Sequence, residues 1–267
     1  MTAPQNNPVV FIHGLWIHSS AWTPWMTLFG ERGYTTSAPG WPGDGATVQE
    51  TRTMPEKMNN VGIQDIYEHY VDVVAGLDTK PIVIGHSFGG LIAQELLATD
   101  VAAAAVAIDP APIKGVKALP FSQLRSGFPV LSNPANKNKT VALTPKQFKY
   151  SFGNTLTQEA SDDLFEKWTI PGPGRPLFED ATANFRRHSP AAVDTHKAVR
   201  GPLLLISGTE DHTVPAKVTR EVLAMYAGGD SITEYHEFEG RGHSLTMDDG
   251  WEEVAGTTLA WLNDKGF

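Results

Sequence analysis

Residues 85–89 read Gly-His-Ser-Phe-Gly, a G-x-S-x-G pattern whose chemistry depends on where the serine is placed. The apolar run Pro81-Ile-Val-Ile-Gly85 precedes it, and Phe88 to Ala98 follows with helical patterning, so Ser87 falls on a strand-turn-helix junction. Strand and helix backbones approach closely at such a turn, and Gly85, Gly89 and Gly90 supply positions without a Cβ. A hydroxyl is a weak nucleophile; it needs a base, and the base needs an orienting carboxylate. In this setting the partners follow in the order serine, acid, histidine. His243 lies in Gly240-Arg-Gly-His-Ser244, between the last expected strand and the last expected helix. The preceding strand runs out through Leu203-Leu-Leu-Ile-Ser-Gly-Thr-Glu-Asp211, which makes Asp211 the expected acid, with Glu210 and Asp109 as alternatives. Each residue also has a purely structural reading. Ser87 can cap the helix that follows it, Asp211 can sit favourably at a helix N-terminus, and His243 can be a surface loop residue. Their occurrence at three expected strand ends favours nucleophilic acyl transfer. The oxyanion formed by serine attack requires two N–H donors, and the backbone groups of Phe88 and Leu15 are expected to provide them. His13 is read as an anchor of the 13–16 loop and His86 as a packed neighbour of the serine.

The elements that must position these residues alternate along the chain. Strands are expected at 8–14, 34–38, 81–85, 103–109, 202–207 and 232–238, and helices at 20–30, 62–78, 88–98, 215–226 and 251–262. Pro39-Gly-Trp-Pro-Gly-Asp-Gly45 is dense in turn residues and must be a loop. Short apolar strands alternating with helices imply an α/β fold: a mostly parallel sheet of about six strands with helices on both faces. Ligands of such sheets sit at the carboxyl ends of the strands, where Ser87, Asp211 and His243 fall.

Composition narrows the function classes. The chain has 267 residues, 41% hydrophobic, with no cysteine and a net charge of −9. Thiol catalysis, thiolate metal sites and disulfides are excluded, and the acidic balance disfavours nucleic acid. No apolar run approaches the roughly 20 residues of a membrane span. The first 31 residues contain no Lys or Arg, so a secretory signal is not expected and a cytoplasmic location is. The charge is uneven: residues 113–200 hold 13 Lys/Arg against 7 Asp/Glu, and the remainder 8 against 23. Such asymmetry marks a boundary.

The motifs His13-Gly-Leu-Trp16, Gly85-His-Ser-Phe-Gly-Gly90, Gly208-Thr-Glu-Asp-His-Thr-Val-Pro215 and Gly242-His243, in this order, resemble the α/β-hydrolase superfamily over the whole chain except most of 113–200. The resemblance implies a core formed by 1–112 and 201–267 and a helical cap inserted at 113–200. Families of this kind begin with a strand pair before the His-Gly strand; only seven residues precede Pro8 here, so that hairpin is expected to be lacking. Serine rather than aspartate at 87 speaks against the haloalkane dehalogenase and epoxide hydrolase branches.

Within 113–200, helices are expected at 145–152, 158–168 and 176–186. The aromatic residues there, Phe121, Phe128, Phe148, Phe152 and Phe185 among them, are read mostly as core of the cap. Trp16 and Trp41 leave strand ends on the catalytic edge and are the expected substrate-binding residues of an apolar pocket, with His18, three residues after Leu15, as an extra polar contact; Trp22 and Trp25 are read as helix packing. The expected activity is cleavage of a carboxylic ester or lactone through an acyl-enzyme, with no metal and no organic cofactor, and with perhydrolysis as a possible side reaction. Two alternatives stand beside it: a cofactor-free lyase or dioxygenase in which the His–Asp pair is the base, and a non-enzymatic ligand-binding protein on the same scaffold. The expected partner is a small molecule, drawn as an anion if the basic 114–149 cluster steers it, or unsteered if the basic segment serves only to dock on the acidic body. Substrate identity and oligomeric state are not encoded legibly.

Overall fold

The computed structural model describes residues 7–267. Its strands are β1 (Val9–Ile12), β2 (Thr36–Ser37), β3 (Ile82–His86), β4 (Ala104–Ile108), β5 (Thr140–Val141), β6 (Gly172–Pro173), β7 (Leu203–Gly208) and β8 (Thr233–Phe238). Its helices are α1 (Thr23–Glu31), α2 (Val48–Thr53), α3 (Ile63–Ala75), α4 (Phe88–Ala98), α5 (Phe121–Leu131), α6 (Pro145–Ser151), α7 (Gln158–Trp168), α8 (Arg175–Ala181), α9 (Ala216–Met225) and α10 (Trp251–Asp264). Six strands form one sheet in the order β2-β1-β3-β4-β7-β8, and every pairing in it is parallel. The expected lack of a strand pair before β1 falls on residues 1–6, outside the described residues.

The period of two along each strand divides the core between the two faces. Val9, Phe11, Ile84, Val106 and Ile206 face α1 and α10, meeting Trp22, Trp25, Phe29 and Leu262. Val10, Ile12, Val83, Ala105 and Leu205 face the other way, meeting Ile66 and Tyr70 of α3, Leu91 of α4 and Val222 of α9. Trp22 stacks on Phe11 at 5.0 Å and Trp25 on Phe29 at 6.0 Å, as packing residues should. β8 closes one edge, pairs only with β7 and alternates in exposure; its two glutamates suit an edge strand.

Residues 113–200, between β4 and β7, carry α5 to α8 and the antiparallel β5–β6 pair. Helix α5 is not expected from the sequence: Gly127 and Pro129 interrupt its pattern. Helix α2 is also unforeseen. The helix expected at 176–186 stops at Ala181 and resumes as a short 3-10 turn at Ala183–Phe185. Phe148 and Phe152 are buried and stacked at 5.0 Å, but Phe121, Phe128 and Phe185 are 78%, 66% and 89% exposed, so these three are not core of this segment.

The segment shares the buried cluster on one face of the sheet through Val130, Leu143, Phe148 and Phe152, and hydrogen bonds tie it further. Ile170 N donates to Trp16 O, His18 N to Trp168 O and Trp16 Nε1 to Val141 O. Arg52 donates to the carbonyls of Phe165, Glu166 and Thr169. Arg175 meets Asp65 at 3.6 Å. Among the described residues, none of the basic side chains from Lys114 to Lys149 pairs with a carboxylate; Lys114 and Lys149 are spent on backbone carbonyls of their own segment.

Candidate active site

Ser87 sits between β3 and α4 with φ 57° and ψ −121°, in the left-handed region that costs a non-glycine residue free energy. The neighbouring glycines are what permit the turn. A Cβ on Gly85 would lie 2.0 Å from the carbonyl oxygen of Gly89, and one on Gly89 would lie 2.1 Å from that of Ile12. The strained turn is held by Ser87 N donating to Ile108 O at 2.9 Å and Ala111 N donating to Ser87 O at 2.9 Å. Two other non-glycine residues with positive φ, Trp16 and Asp109, flank it on the neighbouring strand exits.

His243 and Asp211, 32 positions apart, meet at 2.5 Å through Nδ1 and Oδ2, both side chains fully buried. Asp211 Oδ1 accepts from Thr213 N at 2.6 Å and Val214 N at 2.8 Å, so the carboxylate is fixed by the loop that leads into α9. The His243 loop is clamped from its other side, where Arg241 pairs with Asp248 and Ser244 Oγ donates to Asp248 Oδ2 at 2.7 Å. Phe152 packs edge-on against the His243 ring at 4.8 Å, and the His86 ring lies 4.5 Å away. Burial, and then the charge His243 would carry, holds the His86 imidazole well below its ordinary range, which keeps it neutral beside His243. His243 Nε2 has no hydrogen-bond partner and is not bonded to Ser87 Oγ in this structure; catalytic hydrogen bonds of this kind often close only with substrate present.

Asp109, one of the two alternative acids, also lies near the His243 ring. It leaves β4, its Oδ1 accepts from Gly208 N at 2.9 Å, and Oδ2 reaches to within 3.9 Å of His243 Nδ1 without an ordinary donor of its own. Burial, reinforced by the Asp211 charge, pushes the Asp109 carboxyl well above the usual range. Glu210, the other alternative acid, has no such contact; its carbonyl accepts from Asn154 Nδ2.

A cavity of about 230 Å³ opens beside Ser87. Trp16, Phe88, Ala111 and Val214 line it from the sheet side, and Leu124, Leu131 and Leu177 close it from α5 and α8. Trp16 is thus in the cavity wall. Trp41 and His18 are not: Trp41 is buried, stacked on His13 at 4.9 Å, and His18 caps the turn after it, its Nδ1 2.7 Å from Ser20 Oγ and its Nε2 3.1 Å from Gly45 O. His13 anchors its loop as expected, 3.0 Å from Asp44 Oδ2. The α5 residues escaped sequence reading because α5 itself did; α8 was expected as a helix, but Leu177 and Asp180 carried no signal that they line a cavity.

One possible metal cluster exists among the described residues, His86, Asp109 and His243, with ligand atoms within 4.8 Å of one another. The donor set fits a cation poorly. His243 Nδ1 is already engaged by Asp211, and a cation there would compete with that contact.

The fold has close counterparts. An extracellular α/β-hydrolase from a Paenibacillus species superposes with a TM-score of 0.70 at 22% identity, covering 95% of this chain and 98% of its own. A monoacylglycerol lipase from Paleococcus ferrophilus gives 0.69 at 24% identity, covering 97% and 96%. Tomato methylketone synthase I, complexed with 2-tridecanone, gives 0.69 at 17% identity, covering 97% and 99%. Residues 9–257 match the alpha/beta hydrolase family, and the chain belongs to it.

Proposed function

We propose that this protein is a serine hydrolase that cleaves a carboxylic ester with an apolar or aromatic moiety through an acyl-enzyme. The observation that carries the reading is the buried 2.5 Å contact between His243 and Asp211 beside a serine on a strained elbow that lines an apolar cavity. Ser87 Oγ attacks the carbonyl carbon while His243 Nε2 takes its proton, and Asp211 holds the ring in the tautomer that leaves Nε2 free. The N–H groups of Phe88 and Leu15 receive the negative charge that develops on the carbonyl oxygen. His243 then protonates the departing alcohol, and a water, deprotonated in turn by His243, releases the acid. The lipase and hydrolase counterparts support the same class.

The test is covalent as well as kinetic. Replacing Ser87 by Ala removes 4-nitrophenyl ester turnover, by about 10³-fold or more, and abolishes labelling of the Ser87 peptide by a fluorophosphonate. Full turnover in the variant overturns the reading. One observation favours a second reading, a cofactor-free lyase: His243 Nε2 and Ser87 are not hydrogen-bonded, as suits a base that acts directly on bound substrate. In that case the Ser87 variant loses only part of its activity and no acyl-enzyme accumulates.

A further inference from the structure

The cavity beside Ser87 has one ionisable residue in its wall, Asp180 of α8. Its carboxylate takes part in no hydrogen bond or ion pair among the described residues. The adjacent Glu179 shows what a structurally employed carboxylate looks like on the same helix: it accepts from Ile63 N at 2.8 Å and pairs with Arg175 at 2.7 Å. Gln123 of α5 also lines the wall, and its Oε1 is buried without a partner among the described residues. Buried polar groups are normally satisfied, and one left open costs the folded protein free energy. Gln123 Oε1 is such a group, and the half-buried, unpartnered Asp180 carboxylate shares with it a wall otherwise made largely of Leu, Ala, Pro, Trp and Val.

We propose that Asp180 and Gln123 form a recognition site for a hydroxyl group, alcoholic or phenolic, on the part of the ester that occupies this cavity. The inference rests on the acyl-transfer reading only for the orientation of the substrate, with its carbonyl at Ser87. A hydroxyl offers one donor and two acceptor sites, so it can accept the proton of a neutral Asp180 and give its own to Gln123 Oε1. Burial pushes the Asp180 carboxyl up to about 8, so the neutral acid predominates at neutral pH. A methyl group in the same place leaves both protein groups unpaired. A carboxylate meets an acceptor oxygen on one side and, once Asp180 ionises, a like charge on the other. Sites built to hydrogen-bond a hydroxyl discriminate strongly against analogues that lack it.

The experiment compares acyl esters of equal chain length ending in methyl, hydroxyl or carboxylate, in wild type, Asp180→Leu, Asp180→Asn and Gln123→Met. The expected result is a kcat/KM ratio of hydroxyl to methyl ester of about tenfold or more in wild type, collapsing to near unity in Asp180→Leu, reduced in Gln123→Met and partly restored in Asp180→Asn. A wild-type preference for the methyl ester, or a ratio unchanged in Asp180→Leu, overturns the proposal. Calorimetric binding of an alkanol and its terminal diol to wild type and Asp180→Leu makes the same comparison without turnover. If no ester is cleaved but the diol still binds more tightly through Asp180, the acyl-transfer reading fails and the recognition site stands. If esters are cleaved through Ser87 without hydroxyl preference, the reverse holds.

Discussion

Asp109 Oδ2 lies 3.9 Å from His243 Nδ1, the same nitrogen that Asp211 meets at 2.5 Å. Two buried carboxylates this close do not both carry charge at neutral pH. Asp211 is the better seat for it, with two backbone N–H groups on Oδ1 and the imidazole on Oδ2. Asp109, raised by burial and by the charge on Asp211, holds its proton and can donate it to Asp211. The two acids are therefore unequal in role although both lie near one ring.

That inequality sets an order of effects. Asp211→Asn lowers kcat by about 10²- to 10⁴-fold, the loss expected when the base is held in the wrong tautomer. Asp109→Asn replaces one neutral group by another and keeps the acceptor for Gly208 N, so it costs less than about tenfold on the same footing. Any activity left in Asp211→Asn because Asp109 takes over as the anion disappears in the double variant. Steady-state kinetics on one activated ester measure all three. An Asp109→Asn loss as large as that of Asp211→Asn would make Asp109 the working acid.

The elbow glycines predict a contrast in stability. Gly85→Ala forces a Cβ to within 2.0 Å of a backbone oxygen, and neither strand nor helix can move away without breaking the turn. The cost expected is at the top of the overpacking range, about 3 kcal/mol or more. Gly256, exposed in the middle of α10, has nothing within 4 Å of the place an added methyl would take. Gly256→Ala should raise stability by about 0.5–1 kcal/mol. Urea unfolding of both variants decides it; a tolerated Gly85→Ala would mean the elbow is not rigid.

The elbow is the part of the site most legible in the sequence, because its requirement is local: glycines two residues either side of a serine, between an apolar strand and a helix. His243 and Asp211 were legible for a related reason, since each falls at the exit of a strand and parallel strands bring their exits to one edge. Trp41 was misplaced because a residue leaving a strand can fold back, and this one turned onto His13. Asp109 was visible as a candidate, but only the three-dimensional distance shows it sharing a nitrogen with Asp211. The cap was harder. Helix α5 carries its apolar residues on two sides, some over the cavity and others, such as Phe121 and Phe128, toward solvent, so its periodicity does not announce a buried face. Charge totals also misled as to what ties the segment down: the bonds that join it to the sheet side are chiefly hydrogen bonds between a side chain and a backbone group, which no composition reveals.

Phe152 links the 113–200 segment to His243. Its ring packs between Phe148 and His243 and is buried. Phe152→Ala removes that support and leaves a void, with a stability loss of about 3–5 kcal/mol. Because it does not touch the nucleophile, its kinetic effect should fall on kcat through the freedom given to the His243 ring, and Phe152→Leu should restore most of it. A variant with normal kcat and a raised KM alone would place Phe152 in substrate binding.

Asp180 also makes stability depend on pH. Its carboxyl titrates at about 8 in the folded protein against an ordinary value of 3.8, so between about pH 4 and pH 8 the native state holds a proton that the unfolded chain has lost. Stability then falls as pH rises through this window, because the slope has the sign of protons bound by the unfolded state less those bound by the native state. Asp180→Asn cannot ionise and escapes this loss. The variant's melting temperature relative to wild type should therefore climb steadily from pH 5 to pH 8 and level off above it. Equal melting temperatures across that range would show that the carboxyl is solvated or paired in solution, and the polar end of the cavity would lose its acid.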